Sequence, residues 1–151
     1  MRIYSGVADG VAVGTDKTVL TLISATPIRP ELIEFFLSCN ATPADLSTLF
    51  HLERFTAVGT EGSGFTPHAI DPISPAADAD YGVGVFSAEP TYTANAILWS
   101  KAFNQRNTLR WAAVAPGAGF IAPATANNGL GLQSQASGGT AGHNVTFFHA
   151  E

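Results

Sequence analysis

Histidine is the residue type in this chain best suited to metal binding or proton transfer. The chain has four histidines: His51, His68, His143 and His149. No two of them have the HxH or HxxxH spacing that brings two imidazoles to one metal ion, and His143 and His149 flank a strand that would hold them far apart. The spacing therefore favours histidines that serve the fold or lie on the surface, and it predicts no metal site and no cofactor.

Carboxylates come together only in one long polar segment, at Asp71, Asp78 and Asp80. Asp78 and Asp80 would lie on one side of an extended chain, but the further oxygen ligands of a calcium loop are not evident. Gly62-Ser63-Gly64 resembles half of a GxSxG nucleophile elbow, yet its spacing differs and no apolar strand precedes it. No nucleophile, base and orienting group can be argued together, so we expect no catalytic residues and no enzyme activity.

Composition argues against several classes of partner. The net charge is −5 with no basic run, which argues against nucleic acid. No stretch approaches the roughly 18 consecutive apolar residues of a membrane helix, so we expect no membrane association. No stretch near the start resembles a secretion signal, so we expect the chain to be synthesised and folded in a cytoplasm. Only 13% of the residues are charged, against roughly 25% in ordinary domains. Such a surface suits a protein covered by copies of itself or by a large partner.

Alternating apolar and polar residues predict an all-β fold with about eight strands and little helix. The clearest strands are 17–25, 31–39 and 46–55, with Ile33, Phe35 and Leu37 expected on one face of the second. Frequent turn signals favour an antiparallel β-sandwich, and a jelly roll is our first choice. We expect residues 17–151 to form this single domain and residues 1–16 to be an N-terminal arm or a first strand. Cys39, the only cysteine, is expected to be a small core or edge residue.

Residues 95–114 contain both tryptophans of the chain, Trp99 and Trp111. Two alternating runs surround the polar residues 104–107, and this pattern predicts a β-hairpin with cross-strand aromatic packing. An amphipathic helix is the competing interpretation, since some of the apolar residues also fit a helical spacing. Residues 56–79 show no clear periodicity, and segments of this length in a compact domain are usually functional or disordered. Phe65, Ile70 and Ile73 indicate that this segment packs against something.

Several pieces of the chain follow one another in a recognisable order. A Val/Leu-rich strand at 19–23 precedes a proline-containing link and the Leu-Ile-Glu-Phe-Phe strand at 32–36. Gly-Thr-Glu-Gly-Ser-Gly-Phe-Thr-Pro at 59–67 runs into Asp71-Pro72, and Glu-Pro-Thr-Tyr-Thr at 89–93 precedes the tryptophan-bearing run. From about Lys17 onward, this order resembles the small capsid decoration (cement) proteins of tailed bacteriophages.

The resemblance implies a jelly-roll-like homotrimer that binds the shell of major capsid protein at the capsid surface of a virion. The segment Gly59–Ala79 would then be the first candidate for the contact with the shell or with another subunit, or else it folds back on its own domain. Trp99, Phe103 and Trp111 would contact other subunits unless they are needed for the core. The candidate interface residues are Phe65, Pro67, Ile70, Ile73, Trp99, Phe103 and Trp111.

A carbohydrate- or receptor-binding module of a phage tail or fibre is the alternative, because jelly rolls also serve as lectins. It would need exposed aromatic residues, which Tyr81, Tyr92 and Trp99 could supply. A cupin-like enzyme would need a histidine-rich metal site, and the scattered histidines argue against it.

Overall fold

A computed structural model describes residues 1–40, 42–137 and 141–151, and within those ranges it contains twelve β-strands and no helix. The described residues accordingly include no helix of the length and apolar character that would cross a membrane. The strands in chain order are β1 (Ile3–Val11), β2 (Lys17–Ile23), β3 (Glu31–Cys39), β4 (Ser47–Ala57), β5 (Ser63–Phe65), β6 (His68–Ala69), β7 (Asp80–Val83), β8 (Thr91–Asn104), β9 (Thr108–Ala112), β10 (Phe120–Ile121), β11 (Gly129–Ser137) and β12 (His143–Ala150).

Two antiparallel sheets of six strands pack face to face as a β-sandwich. In sheet A, β9 and β10 both pair with β3, which is followed by β12, β1 and β6. In sheet B the order is β5, β7, β2, β11, β4 and β8. Eight strands form the frame, β1-β12-β3-β9 opposite β2-β11-β4-β8, and this is jelly-roll connectivity. The predicted fold class is therefore confirmed; β5, β6, β7 and β10 are shorter additions at the edges.

Residues 1–16 contain an integral strand of the sandwich. Strand β1 pairs with β12 from Ile3 to Val11 and with β6 at Tyr4 and Ser5. Its inward side chains are small or fully buried, as at Tyr4 and Ala8. In the structure this segment contains a strand of the sandwich and is not a separate arm. Its buried residues belong to the same core as those of residues 17–151.

The predicted hairpin at 95–114 is wrong, although both of its strands exist. Strand β8 pairs with β4 in sheet B, and β9 pairs with β3 in sheet A. The connection crosses between the sheets because its buried residue Gln105 is fixed to the start of β4. The main-chain N–H of Gln105 donates to the carbonyl oxygen of Leu46 at 2.9 Å, and its side-chain amide donates to the Thr48 hydroxyl at 3.3 Å.

The core lies between the sheets, with Phe35 of β3 at its centre. The Phe35 ring is fully buried and contacts Trp99 edge-on at 5.1 Å, Trp111 in a stacked geometry at 5.5 Å and Phe147 at 6.0 Å between ring centroids. Trp99 of sheet B and Trp111 of sheet A thus both pack against Phe35, and they do not pair with each other across a hairpin. Aromatic contacts of this kind join the two sheets at their edge strands, β8 in sheet B and β9 in sheet A.

A β-bulge at Ile33 changes the expected face of one residue. Glu34 pairs with Phe148 and Leu32 pairs with His149, so Ile33 has no direct partner in β12. Leu32 therefore joins Phe35 and Leu37 in the core, and the prediction that Ile33 shares their face is wrong.

Candidate functional site

The residues best suited to chemistry are distributed over the sandwich. His51 contacts Glu53 at 3.2 Å on sheet B, and His68 is exposed in β6. His143 is buried, with Nδ1 3.0 Å from the carbonyl oxygen of Ala141. In residues 1–40, 42–137 and 141–151, no three His, Cys, Asp or Glu side chains come together to hold a metal ion. Ser63 is exposed at the start of β5, with no histidine in hydrogen-bond contact.

His149 belongs to a buried polar network that joins the sheets. Its Nδ1 lies 2.7 Å from the hydroxyl of Tyr81 in β7, and its Nε2 lies 3.2 Å from a carboxylate oxygen of Glu151. The same carboxylate accepts hydrogen bonds from the main-chain N–H groups of Ala79 at 2.8 Å and Asp78 at 3.1 Å. Tyr81 and His149 are both fully buried, so a substrate has no access to this hydroxyl–imidazole–carboxylate chain. The network fixes β7 and the segment before it to β12.

The Glu151 carboxyl makes this network sensitive to acid. Burial raises the pKa of the carboxyl, but hydrogen bonds from His149, Ala79 and Asp78 outweigh burial and hold the pKa below its ordinary value. A folded-state pKa below the unfolded one stabilises the protein above the unfolded pKa of roughly 4.3, and this stabilisation is lost as pH falls through the folded pKa. Glu151→Gln is therefore expected to flatten the loss of unfolding free energy below about pH 4.3, measured by urea denaturation at a series of pH values.

His143 also changes the stability of the protein with pH, but in a different pH range from Glu151, so the two effects can be separated in the same urea denaturation series. Burial lowers the pKa of its imidazole, against a smaller opposite effect of the hydrogen bond with Ala141. Its contribution is therefore lost as pH falls from roughly 6.5, at higher pH than that of Glu151. An unchanged slope below pH 4.3 in Glu151→Gln would contradict the role given to the carboxylate.

Several of the candidate interface residues are covered by the protomer itself. Pro67 and Phe103 are buried, and Phe103 belongs to the core. Trp99 and Trp111 are half-buried and pack on Phe35, which agrees with the alternative that they serve the core. Phe65 packs on Tyr81 with a centroid distance of 5.5 Å. The side chains of these five residues therefore offer little free surface.

Ile70 and Ile73 are the two candidates that the structure leaves exposed, and the side chain of Ile73 is 89% exposed. Their segment is held against sheet A. The N–H of Ile70 donates to the carbonyl oxygen of Ile3 at 2.9 Å, and the Tyr4 hydroxyl donates to that of Pro75 at 3.2 Å. The segment Gly59–Ala79 thus has two parts: the first folds back on the domain through Phe65, and the second presents isoleucines to solvent.

Ile70 lies at one end of an apolar rim formed by Met1, Ile33, Ile70 and Val114. Met1, Ile3 and Ile70 line one side of a depression of about 200 Å³, whose other lining residues are Arg2, Asp71 and Ser74. Met1, Ile33 and Val114 line a second one of about 350 Å³, and the Val114 side chain is 96% exposed. Met1 borders both depressions.

The outward side of sheet A adds an apolar face formed by Val7, Phe36 and Phe148. Strand pairing places Thr146 between Val7 and Phe36 in one row, and Phe148 beside them. The Phe36 and Phe148 rings meet edge-on at 6.2 Å. The Arg110 guanidinium lies over the Phe36 ring at 5.6 Å and is paired with Glu34, so one ion pair borders the face.

Sequence reasoning missed the apolar face because β3 is apolar on both of its sides. Phe35 and Phe36 are adjacent, and the sequence alone does not tell which side is covered by the second sheet. The excess apolar residues of β3 were the available signal, since one of them had to face outward. Met1 and Val114 gave no periodic signal, because each lies outside a strand.

On the apolar face Val7 is 47% exposed, whereas Phe36 and Phe148 are half-buried. Exposed apolar residues that lie close together are typical of a contact site with another macromolecule. Comparison of the chain with protein-family models, with curated proteins and with solved structures finds no match.

Proposed function

We propose that this chain is a non-enzymatic virion structural protein that decorates and stabilises a bacteriophage capsid, binding the major capsid protein shell as a homotrimer. The observation that carries the proposal is the apolar face of sheet A together with the apolar rim. The chain would be synthesised in the host cytoplasm and become part of the capsid surface of the virion. The order of sequence pieces shared with capsid decoration proteins supports the same assignment.

A large protein partner fits this surface better than a small ligand does. Val7, Phe36 and Phe148 stand on the flat side of a sheet, whereas small-molecule sites are concave and enclose their ligands. Protein interfaces combine an apolar, aromatic centre with a polar border, and Arg110 with Glu34 supplies such a border here. No enzyme chemistry, cofactor, nucleic acid or membrane is required for a role of this kind.

A trimer would convert weak contacts into stable decoration. Once one protomer has bound the shell, the other two face their sites at a high effective concentration, and the overall affinity can exceed that of one protomer by roughly 10²–10⁴. The low share of charged residues, 13%, suits a surface that is largely covered after assembly.

No observation favours the carbohydrate-binding alternative. Of the aromatic residues on which it rests, Tyr81 is fully buried and Trp99 packs on Phe35. The Tyr92 hydroxyl is 2.8 Å from that of Thr18, and its ring fills the space beside Gly131. Stacking of a sugar needs an exposed aromatic face, which none of the three offers.

A charge placed on the apolar face is expected to abolish most of the shell binding. Val7→Asp places a carboxylate at a position that would be removed from water when the shell binds. We therefore expect at least a tenfold loss of affinity for shells assembled from the major capsid protein of the same genome. Co-sedimentation with these shells measures the loss. Val85→Asp is the matched control, because Val85 is 66% exposed and follows β7 of sheet B. Equal binding by both variants would contradict the assignment of the face, and light scattering of the free protein should give the mass of a trimer.

A further inference from the structure

Strand β8 ends sheet B and leaves one edge without a partner. From Trp99 to Asn104 it pairs regularly with Ser47–Leu52 of β4. On its other side, the carbonyl oxygen of Asn104 accepts from the main-chain N–H of Asn107 at 2.9 Å. The remaining outward main-chain groups of this stretch, those of Ser100 and Ala102 among them, make no hydrogen bond to any part of the chain that the structure describes. In an edge strand, alternate N–H and C=O groups point outward and are ready to pair with another extended chain.

The first half of β8 is unsuited to such pairing, and the second half is suited to it. Between Tyr92 and Ile97 the register with β4 is irregular, and Asn95 has a φ of +60°. Irregularities of this kind interrupt a ladder. The stretch Trp99–Asn104 has no such break and contains no proline. A strand of six residues is of ordinary length for sheet pairing.

Lys101 is the single charged residue of β8. It pairs with the core residue Phe50 of β4 and lies in the inward-facing phase between Trp99 and Phe103, yet it is exposed. It forms no ion pair with the residues that the structure describes. A partner strand would therefore meet an uncompensated positive charge halfway along the edge.

This charge disfavours pairing with a second copy of the same strand in the register that aligns the two stretches Trp99–Phe103. If two copies paired antiparallel with Trp99 opposite Phe103, both cores would lie on the same side of the joined sheet. Lys101 would then stand directly opposite Lys101 of the second copy, and like charges in that position are destabilising. An acidic side chain opposite Lys101 would be stabilising instead.

We propose that the free edge of β8 from Trp99 to Asn104 binds an extended strand of the shell protein that carries an acidic side chain opposite Lys101. This inference rests on the proposed function, because it names the capsid shell as the source of the strand. The added strand would extend sheet B through main-chain hydrogen bonds, and Lys101 would select its charge. The contact is separate from the apolar face of sheet A, so each protomer would bind the shell at two places.

Hydrogen exchange with and without shells tests the main-chain part of this proposal. Outward-pointing amides between Trp99 and Asn104 should exchange quickly in the free protein and slowly on the shell. Lys101→Glu should lower shell affinity about tenfold or more, because attraction becomes repulsion. Arg106→Glu makes the same charge change in the connection after β8, beyond the ladder, and should bind as the wild type does.

The outcomes separate this inference from the function on which it depends. If the wild type binds shells while the β8 amides stay unprotected and Lys101→Glu binds normally, the edge contact is refuted and capsid decoration stands. Protection of these amides already in the free protein would assign the edge to a second copy and overturn the proposal. If the wild type does not bind shells at all, both fail.

Discussion

Replacing Phe35 with alanine is expected to lower the free energy of unfolding by about 3–5 kcal/mol, the usual cost of deleting a core aromatic side chain. Phe35 is fully buried and contacts Trp99, Trp111 and Phe147. Its removal would leave a cavity between the sheets where both tryptophans rest. Urea denaturation at a fixed protein concentration measures the change, and fixing the concentration matters because assembly adds to apparent stability.

The adjacent residue provides a matched control for this prediction. Phe36 is a half-buried phenylalanine on the other side of β3, where it contacts Phe148 and Arg110. Phe36→Ala should cost less, about 1–2 kcal/mol of stability, because its ring lies outside the core and is partly exposed. The same variant should weaken shell binding, since Phe36 belongs to the apolar face. Equal destabilisation by the two alanine variants would contradict the assignment of the two sides of β3.

Gly6→Ala is expected to destabilise the protein by about 2–3 kcal/mol although it adds a single methyl group. A Cβ at position 6 would lie 2.1 Å from Cδ2 of Tyr81. The Tyr81 ring cannot move freely, because it is fully buried and its hydroxyl is 2.7 Å from Nδ1 of His149. The added methyl group must therefore displace the ring and disturb the bond that ties β7 to β12.

Two further variants test whether the Tyr81 ring causes the destabilisation by Gly6→Ala. Gly14→Ala should change stability by less than about 0.5 kcal/mol, because its added Cβ would meet only the flexible side chain of Lys17, at 3.3 Å. In a Tyr81→Ala background, Gly6→Ala should cost much less than in the wild type, since the clashing ring is gone. A full cost in that background would place the effect elsewhere, in the ring of Phe65, whose Cε2 would lie 2.9 Å from the added Cβ, or in the β1 main chain.

The sequence predicted well those strands that are apolar on only one side, and those whose ends are marked by turn residues. Strand β3 has the predicted bounds, and β2 and β4 differ from theirs by one or two residues at their ends. Jelly-roll architecture followed from the number of strands and the absence of helical periodicity. The short strands β5 and β6 were not predicted, because two or three residues carry no periodic pattern.

Pairing between distant parts of the chain was harder to predict than the strands themselves. The residues 104–107 look like a hairpin turn, but the buried amide of Gln105 fixes them as a crossing between sheets. Only the position of β4 makes this interaction available, and no local pattern reveals it. Likewise, Ile70 and Ile73 were singled out from the sequence, whereas Phe36 and Phe148 required knowledge of which side of sheet A faces outward.

The number of copies bound per shell at saturation tests capsid decoration most directly. Purified chain is added in increasing amounts to shells assembled from the major capsid protein, and bound protein is quantified after sedimentation. Decoration predicts saturable binding of many copies per shell, in threes, and a large loss of binding in Val7→Asp but not in Val85→Asp. Wild-type protein that leaves the shells bare, or that binds only a few copies to each, would contradict a role as a decoration protein.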